Sequence, residues 1–424
     1  MPLLIEPMKK SFFFTVQKND AGQYIIPQEL AEQFGFADGA KMRVDVSDTE
    51  IILSRSTFNL NKIYVEATNA CNLGCRTCMR NAWDEPLGQM EWRTYEAVLQ
   101  GAASCSPLPL LFFGGFGEPL AHPELIRMIA AARGLGIAVE LITNGTLLTE
   151  KLIQPMIECG VQRVWVSIDG ASRESYTDVR LGDQLASVIH NVSLLNSLRK
   201  KHPLGYPKIG VAFVAMRRNL HELPEVIRLG KQLGADRFSV SNVYPHTREL
   251  VSEGLYARAM QDGNLQSSVW STEISLPRMD LDANVLDVIG KIYNARTQLQ
   301  VARRTVRTGG DSCPFAESGS LAVRWDGEVS PCLPLLHTHE NYLCQNLRVS
   351  QSFSFGNVNA QPLRAIWERG EYQQFRERLL QFDFSPCVFC NSCNMAEANL
   401  EDCFGNSQPA CGGCLWAQGF IQCP

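Results

Sequence analysis

The stretch Glu66–Cys78, with the sequence EATNACNLGCRTC, decides the fold of this chain. It follows an apolar run, Ile63-Tyr64-Val65, that predicts the end of a strand, and it carries Cys71, Cys75 and Cys78 in C-x3-C-x2-C spacing. This spacing places three thiolates on one tight loop, close enough to hold three corners of a cubic [4Fe–4S] cluster. No fourth cysteine follows nearby, so the fourth iron would be open to a substrate, as a catalytic metal site requires. The alternatives are a zinc loop and three unrelated buried cysteines, but zinc sites usually pair two C-x2-C halves.

This three-cysteine stretch resembles the signature of the radical S-adenosylmethionine (SAM) enzymes. In that family, the open iron of the cluster chelates the amine and the carboxylate of SAM. The resemblance implies that Cys71, Cys75 and Cys78 hold a SAM-binding [4Fe–4S] cluster and that the protein is an enzyme.

Length and composition limit the other possibilities. With 424 residues, the chain should form two or three domains around a full-sized core. A net charge of −5 and a pI of about 5.9 argue against broad binding to nucleic acid or to an anionic membrane. No apolar run approaches the length of a membrane span, and residues 1–16 show no signal-peptide cleavage pattern, so we expect a cytoplasmic protein. There, its fifteen cysteines should be metal ligands or core residues rather than disulfides.

From residue 58 to residue 305, the sequence predicts an α/β domain in which strands and helices alternate. The helical segments lie near residues 91–103, 122–134, 149–158, 184–200 and 221–233. The predicted strands are Lys62–Glu66, Leu110–Phe113, Ala138–Thr143, Arg163–Ile168, Lys208–Val214 and Arg237–Ser241. Six βα units imply a parallel sheet curled into a partial (β/α)6 barrel, with its chemistry at the carboxyl ends of the strands. Every candidate motif in this part of the chain does follow a strand.

The second predicted strand is followed by a glycine-rich turn, GGFGEP at positions 114–119. Glycines let the backbone approach a ligand closely, and Glu118 offers a carboxylate to a cation. The turn resembles the G-G-E-P motif that holds the SAM ammonium group in the radical SAM family, although a Phe-Gly pair intervenes here. The resemblance implies cofactor contacts from Gly115, Gly117 and Glu118. After the third strand, Asn144 either presents polar groups to the ribose or the substrate or belongs to a plain turn.

The fourth predicted strand ends in the sequence VSIDG at positions 166–170. Ser167 and Asp169 alternate to one side of the strand, which we expect to be the barrel interior and the cofactor site. In family members with this pattern, the serine and a downstream arginine bind the SAM carboxylate, which implies Ser167 and Arg180 here. The fork of an arginine side chain suits a carboxylate. The alternative for Arg180 is a surface position at the start of a helix.

Cysteines concentrate near the carboxyl end, where ten of the fifteen follow residue 312. Asp326-Gly327 is a strong hairpin signal, and Cys332 follows it in G-x4-C spacing. With a C-x2-C pair beginning at Cys387 and a CGGC element beginning at Cys411, the pattern resembles the SPASM domain, here over residues 306–424. That domain carries two auxiliary [4Fe–4S] clusters in many radical SAM maturases. A zinc-binding tail is the alternative.

The SPASM resemblance also implies a distribution of ligands between the two auxiliary clusters. The outer cluster would be held by Cys387, Cys390, Cys411 and Cys423. The inner cluster would be held by Cys313, Cys332 and Cys414, and would be completed by Cys403 or Cys393 or left with an open iron. The chain departs from the family pattern in having one cysteine ahead of the hairpin and in carrying the two extra cysteines at positions 393 and 403.

Residues 1–57 form a separate, β-rich segment. Its strand-like runs at Phe12–Val16, Tyr24–Ile26, Met42–Val46 and Glu50–Leu53, with I-I-P and D-G-A elements, resemble the AbrB/MazE swapped-hairpin domain, whose members dimerise and often bind DNA. DNA binding needs a basic face, but residues 1–56 carry six basic and eight acidic side chains. We therefore expect this segment to dimerise or to dock a protein rather than to bind a DNA duplex.

Among SPASM proteins, residues 402–419 and the glycine-rich turn most resemble the maturases of tungsten-cofactor oxidoreductases of the aldehyde ferredoxin oxidoreductase type. This resemblance implies reductive cleavage of SAM to a 5′-deoxyadenosyl radical, hydrogen abstraction from a protein, peptide or cofactor precursor, and an electron donor such as ferredoxin or flavodoxin. Two other hypotheses remain open. One is a SPASM enzyme that cross-links a ribosomal peptide, and the other is a non-enzymatic AbrB-like regulator with an iron–sulfur sensor.

Overall fold

The computed structural model describes residues 59–257, 313–343, 345–389 and 393–424, and elsewhere only short strands and isolated positions. It divides the chain into two compact units, Met1–Asn59 and Leu60–Pro424. The second unit contains both the predicted barrel and the cysteine-rich region.

The first unit contains two antiparallel strand pairs. β1 (Gln17–Lys18) pairs with β2 (Tyr24–Ile25), and β3 (Met42–Val46) pairs with β4 (Ile51–Arg55). β2, β3 and β4 lie where the sequence predicted strands, and the predicted strand Phe12–Val16 lies outside the described residues. Most of this unit lies outside the described residues, so its resemblance to the swapped-hairpin family stays a prediction.

An eight-stranded sheet organises the second unit. Its six successive parallel strands are β5 (Lys62–Val65), β6 (Leu110–Phe113), β7 (Val139–Thr143), β8 (Arg163–Ser167), β9 (Lys208–Ala215) and β10 (Ala235–Asn242). Each strand pairs with the next one along the chain, as expected for consecutive βα units. The strands match the predicted ones to within a few residues, and the predicted α/β class is confirmed.

Helices connect the strands of this sheet. They are α1 (Trp92–Ala103), α2 (Leu125–Gly134), α3 (Glu150–Glu158), α4 (Arg173–Arg180), α5 (Leu185–Arg199), α6 (Leu223–Gln232) and α7 (Arg248–Glu253). Their buried residues recur every three or four positions, as on an amphipathic helix; α1, for example, buries Tyr95, Val98, Leu99 and Ala102. In the described part of the chain, no helix is both long enough and apolar enough to cross a membrane.

After the barrel, β11 (Glu273–Leu276), β12 (Gln298–Val301) and β13 (Arg304–Val306) form a small sheet of their own. The cysteine-rich region then begins with α8 (Pro314–Glu317) and the predicted hairpin, β14 (Ser320–Val323) with β15 (Val329–Ser330). β14 pairs in parallel with β5, so this hairpin extends the barrel sheet. The remaining elements are the hairpin β16 (His339–Leu343) and β17 (Asn346–Ser350), followed by α9 (Leu363–Trp367) and α10 (Gly370–Gln381).

The last residues of the chain contact both ends of the six-stranded run. At β10, the Asn242 side-chain amide donates to the Phe420 carbonyl at 2.8 Å, and the Gln422 backbone N–H donates to the Ser241 hydroxyl at 3.1 Å. At β5, the Lys62 ammonium donates to the Pro424 carbonyl at 2.8 Å. The cysteine-rich region is therefore tied to the barrel at β5 and at β10.

Candidate functional site

The three-cysteine loop begins where β5 ends, at the carboxyl edge of the sheet. Side chains at its start hold the loop in shape: the Thr68 hydroxyl donates to the Gly88 carbonyl at 2.6 Å, and Asn69 accepts from the Gly88 N–H at 2.7 Å. Further along, the Asn81 amide donates to the Cys75 carbonyl at 2.9 Å. These contacts satisfy backbone groups that a loop would otherwise leave unpaired, and they hold the loop that carries the three thiols.

Cys71, Cys75 and Cys78 are all free thiols, and Cys75 is buried. Burial raises the pKa of Cys71, and it raises that of Cys78 to about 11, with neighbouring thiols of the loop adding to both shifts. A compensating positive charge would therefore favour the thiolate forms of Cys71 and Cys78. Among the described residues, no group of three or more His, Cys, Asp and Glu side chains is arranged to hold a single metal ion. The fit to a cubic cluster rests on the donor set, because each thiolate of such a cluster binds a different iron.

The glycine-rich turn after β6 runs directly against the cysteine loop. A side chain at Gly117 would overlap the carbonyl oxygen of Thr68, so only glycine fits there. The Glu118 backbone N–H donates to the Ala70 carbonyl at 2.9 Å, and the Phe116 carbonyl lies 3.9 Å from the Cys78 sulfur. The Phe-Gly pair that separates this turn from the family pattern thus contacts the cysteine loop, together with the Glu118 N–H.

Glu118 is fully buried beneath this turn, and its carboxylate joins β6 to β7. It accepts from the Leu120 N–H at 3.1 Å, the Thr143 hydroxyl at 2.7 Å and the Asn144 N–H at 2.8 Å. Burial raises the pKa of Glu118, and the same three hydrogen bonds oppose that rise. Both carboxylate oxygens already accept donors from the chain. A direct contact with the SAM ammonium group therefore stays a prediction, and the observed contacts make Glu118 a residue that positions the strand ends.

Asn144 lies beside the cysteine loop. Its side-chain NH2 group donates to the side-chain oxygen of Asn72 at 2.9 Å and lies 3.9 Å from the Cys71 sulfur. Its own side-chain oxygen accepts from the N–H and the hydroxyl of Thr146. The turn after β7 therefore contributes a polar side chain next to the cysteines, although its contact with a ribose or a substrate stays a prediction.

Arg180 and Asp169 form a buried ion pair behind the loop. The Arg180 Nη2 lies 2.6 Å from the Asp169 Oδ2, and the Arg180 Nη1 lies 3.6 Å from the Cys75 sulfur. The other Asp169 oxygen accepts from the Val214 N–H at 2.8 Å, which ties the pair to β9. Arg180 is buried at the end of α4, not exposed at the start of a helix. Ser167, which we also predicted at the cofactor site, is the last residue of β8 and is half-buried.

A second buried network next to this site was not predicted from the sequence. Glu66, the residue after β5, accepts from His337 Nε2 at 2.9 Å and from the Phe116 N–H at 3.4 Å. His337 Nδ1 faces Glu85 at 2.6 Å, and the imidazole stacks on Trp83 with ring centroids 4.4 Å apart. Burial alone would lower the pKa of His337, but the carboxylates of Glu66 and Glu85 raise it above its ordinary value. The only signal in the sequence was a carboxylate at the end of the first barrel strand.

A cavity of about 670 Å³, counting its mouth, lies in the cysteine-rich region. Four cysteines line it: Cys313, Cys332, Cys411 and Cys414. Burial raises the pKa of all four thiols, and that of Cys313 rises to about 12, with Cys414 as a further cause. Four thiols that influence one another in one cavity are a suitable donor set for a complete cubic cluster.

The remaining cysteines are placed as follows. Cys393 and Cys403, the alternatives for the fourth inner ligand, are exposed and do not line the cavity, whereas Cys411, predicted for the outer cluster, does. Cys387 is buried with its sulfur 3.1 Å from the Ser385 hydroxyl, and Cys390 lies outside the described residues. Burial raises the pKa of Cys423, and nearby Lys62 opposes that rise.

Two protein-family models match this chain. Residues 65–229 match the radical SAM superfamily, and residues 313–394 match the SPASM iron–sulfur cluster-binding domain. The first implies SAM and a [4Fe–4S] cluster, and the second implies auxiliary iron–sulfur clusters, as the sequence predicted. The resemblance of the amino-terminal segment to the AbrB/MazE domain finds no support among these matches.

Several characterised proteins are similar to this chain. The tungsten-containing aldehyde ferredoxin oxidoreductase cofactor-modifying protein of Pyrococcus furiosus is 31% identical over 85% of this chain and 96% of its own length. A PqqA peptide cyclase of Gluconobacter oxydans is 28% identical over 42% of this chain and 48% of its own. Among solved structures, SuiB of Streptococcus suis bound to the precursor peptide SuiA superposes with a TM-score of 0.51 and 15% identity, covering 80% of this chain and 71% of SuiB.

The family matches, the extended similarity to the Pyrococcus protein and the shared fold agree with the cysteine loop and the cysteine-lined cavity described above. This chain belongs to the radical SAM superfamily, as an enzyme that carries a SPASM domain.

Proposed function

We propose that this enzyme matures a tungsten-cofactor oxidoreductase by modifying its cofactor or a peptide component of it. The observation that carries this proposal is the similarity to the Pyrococcus cofactor-modifying protein, which spans 85% of this chain and 96% of the relative and therefore includes both the barrel and the SPASM region. When bound, SAM and its cluster supply reductive cleavage to a 5′-deoxyadenosyl radical, which is the chemistry that the superfamily provides. The chain supplies binding, orientation and the exclusion of water.

In this proposal, the thiolates of Cys71, Cys75 and Cys78 hold the SAM cluster. The buried Arg180 lies near the Cys75 sulfur and reduces the repulsion among the three thiolates, while Asp169 holds its guanidinium in place. Ser167 and Asn144, at neighbouring strand ends, are our proposed contacts for SAM itself. Support for these roles comes from the position of each residue at the carboxyl edge of the sheet, where parallel α/β folds bind their ligands.

In the same proposal, the turn of Gly115 and Gly117 contributes its backbone to the SAM site. Gly117 lies against the cysteine loop and has no room for a larger residue, and at Gly115 an added side chain would press on that of Glu66. Glu118 acts indirectly, because its three hydrogen bonds set the positions of Thr143 and Asn144.

We further propose that Cys313, Cys332, Cys411 and Cys414 hold one auxiliary cluster, since all four line one cavity. Cys387, Cys390 and Cys423 are then left for the second one. This assignment moves Cys411 from the outer cluster to the inner one and leaves Cys393 and Cys403, which are exposed, without a role as ligands.

The test is anaerobic incubation of the reconstituted full-length protein with SAM, a reductant and an oxidoreductase of the aldehyde ferredoxin type, followed by intact-mass analysis of the oxidoreductase and its extracted cofactor. We expect a mass change that requires SAM and that is lost in a Cys75→Ala variant. Release of 5′-deoxyadenosine with an unchanged oxidoreductase and cofactor would contradict the proposal.

A second candidate is peptide cross-linking, which is favoured by the similarity to PqqA peptide cyclases and by the fold shared with SuiB. A precursor peptide treated in the same anaerobic assay would then lose the mass of the hydrogens removed by each cross-link. A change on the peptide and none on the oxidoreductase would favour this candidate over the first.

We place the enzyme in the cytoplasm, with ferredoxin or flavodoxin as the electron donor.

We also propose that residues 1–57 dock the protein substrate or a second copy of the chain. A chain starting at Phe58 should bind its clusters and release 5′-deoxyadenosine normally but modify the substrate poorly. Equal modification by the shortened and full-length enzymes would remove the docking role, and tight binding of the isolated segment to a DNA operator would favour the regulator hypothesis.

A further inference from the structure

Arg348 is the one charged side chain that lines the cysteine cavity in the described part of the chain. It lies on β17, it is 4% exposed, and the other residues around the cavity are cysteines, apolar and aromatic side chains, Ser350, Asn399 and Gly413. Two of its guanidinium nitrogens, Nε and Nη1, are buried and have no hydrogen-bond partner among the described residues. A buried guanidinium normally has donors paired with a carboxylate or a carbonyl, because an unpaired buried charge is costly.

The guanidinium lies against the turn that carries two of the four thiols. A side chain on Gly413 would overlap the Arg348 Nη1, so the guanidinium packs directly against the turn Cys411-Gly412-Gly413-Cys414. Arg348 also opposes the burial-driven rise in the pKa of both Cys411 and Cys414. Its unpaired donors are therefore next to Cys411 and Cys414, two of the four thiols in the cavity that carry negative charge when they bind a metal cluster.

We propose that Arg348 is the buried counter-cation of the auxiliary cluster in this cavity, and that it raises the reduction potential of that cluster by donating to its sulfur atoms. The proposal rests on the assignment of a cluster to Cys313, Cys332, Cys411 and Cys414 made above.

The physical reason is the charge that reduction adds. A cubic cluster with four thiolates is already an anion, and one electron makes it more negative. A fixed positive charge and N–H donors to sulfur both stabilise the reduced form more than the oxidised form, and both are among the ways in which proteins tune such potentials. Since the cavity is lined mainly by apolar groups, this interaction is weakly screened and should be large.

The experiment is an anaerobic redox titration of the full-length holoprotein, followed by electron paramagnetic resonance (EPR), with iron counted per chain. The signal of the cavity cluster is identified as the one that a Cys332→Ala variant loses. The test variant is Arg348→Gln, which keeps a side-chain donor and removes the charge. The matched control is Arg376→Gln, because Arg376 is also buried in the SPASM region but donates to the Trp367 carbonyl at 3.0 Å and stacks on the Trp367 ring.

At a fixed applied potential, we expect Arg348→Gln to lower the ratio of reduced to oxidised cavity cluster at least tenfold, which corresponds to 59 mV for a one-electron couple. Arg348→Lys should give a smaller shift in the same direction, since it keeps the charge but loses the planar fork. Arg376→Gln should leave the ratio unchanged. A fully loaded Arg348→Gln protein with an unshifted ratio would overturn the proposal and leave the cluster assignment intact.

If Arg348→Gln loses iron, the unmodified enzyme decides the question. Pulsed EPR on protein grown with 15N-labelled arginine should show a weak nitrogen coupling to the Cys332-dependent signal, and its absence would overturn the role of Arg348. Absence of any Cys332-dependent signal from the unmodified, iron-loaded enzyme would overturn the cluster assignment together with the role of Arg348, so the two failures are distinguishable.

Discussion

Two buried arginines face cysteine sites in this enzyme, and they differ in what else they touch. Arg180 lies 3.6 Å from the Cys75 sulfur and is also paired with the carboxylate of Asp169 at 2.6 Å. Arg348 lies against the turn between Cys411 and Cys414, and no carboxylate among the described residues pairs with it. In our proposal, the charge of Arg180 is therefore shared between a carboxylate and the thiolates of the cysteine loop, whereas the charge of Arg348 is available to the cluster in the cavity.

The two sites also differ in how the chain assembles them. Cys71, Cys75 and Cys78 lie within eight residues on one loop, which is held by the side chains of Thr68 and Asn69. The four cavity cysteines lie just before α8, just after the β14–β15 hairpin and in the CGGC turn, and tertiary packing alone brings them together. A local site can form as soon as its loop does, whereas the cavity depends on the completed fold of the SPASM region.

The largest expected effect comes from the local site. Cys75→Ala should abolish release of 5′-deoxyadenosine, because a cluster that loses one of three thiolates cannot stay bound in the geometry that cleavage needs. Anaerobic chromatography of the reaction measures this loss. Cys159→Ala is the matched control, since Cys159 is a half-buried thiol in the same barrel and outside both cysteine sites, and it should leave release unchanged. If Cys75→Ala still releases 5′-deoxyadenosine nearly as well as the unmodified enzyme, this loop does not hold the SAM cluster.

This contrast explains what the sequence could and could not predict. That Cys71, Cys75 and Cys78 share one loop could be predicted because they are close in sequence, while their role as cluster ligands stays a prediction. The barrel strands were readable for a similar reason, since each is a short apolar run followed by a turn. By contrast, the neighbours of Cys411 depend on how a turn near residue 412 packs on residues 313 and 332, and no local pattern encodes that.

Residue contacts across long sequence separations were missed for the same reason. Glu118 was predicted from its motif, but its partners Thr143 and Asn144 lie 25 and 26 residues away, at the end of the next strand and just after it. His337 and Glu66 are separated by 271 residues, and only the docking of the SPASM region on β5 brings them into contact.

The next prediction tests the ligand assignment of the cavity. Three cubic clusters correspond to about twelve irons per chain, so Cys411→Ala and Cys332→Ala should each lose about four. If the two thiols hold the same cluster, the double variant should lose no more iron than either single variant. Both variants should still release 5′-deoxyadenosine but form no product.

Iron analysis and EPR of the three proteins distinguish the assignments. A double variant that loses about eight irons would return Cys411 to the outer cluster. Cys403→Ala serves as the control, because Cys403 is exposed and should retain all of the iron.

A smaller effect is expected from removing the carboxylate partner of Arg180, which leaves its guanidinium without a carboxylate, like that of Arg348. Asp169→Asn removes the only carboxylate that pairs with Arg180 in the described part of the chain but keeps an oxygen for the Val214 N–H. Breaking a buried ion pair typically destabilises a protein by about 3–5 kcal/mol, because the remaining charge stays buried. We expect the free energy of unfolding to fall by about that amount in the cluster-free protein and by less in the loaded one, where the cluster thiolates partly replace the lost carboxylate.

Unfolding of both forms by denaturant, under anaerobic conditions, measures this difference. Asp183→Asn is the control, since it breaks the exposed pair of Asp183 and Arg173 and should cause no measurable change. An equal loss of stability in the loaded and cluster-free forms would show that Arg180 does not act on the cluster.

The smallest effect concerns His337, which connects the two regions. It lies five residues after Cys332 of the cavity, and its imidazole contacts Glu66 at the end of β5, which in turn accepts from the Phe116 N–H beside the cysteine loop. The carboxylates of Glu66 and Glu85 favour the charged form and raise the pKa of His337 above its ordinary value, against the effect of burial. A histidine whose pKa is higher in the folded state stabilises the fold fully below its unfolded pKa of about 6.5 and loses that contribution as the pH rises through the folded pKa. We expect the free energy of unfolding to fall over that pH interval by about 1.4 kcal/mol for each unit by which the pKa is raised, and the thermal midpoint of the enzyme to fall with it.

The histidine variants test this expectation. His337→Gln should remove the pH dependence, while His122→Gln, which changes a buried histidine outside the network, should retain it. If His337→Gln keeps the full dependence, the link between the SAM site and the SPASM region does not involve a charged imidazole, and Glu66 must be held by the Phe116 N–H and by packing alone.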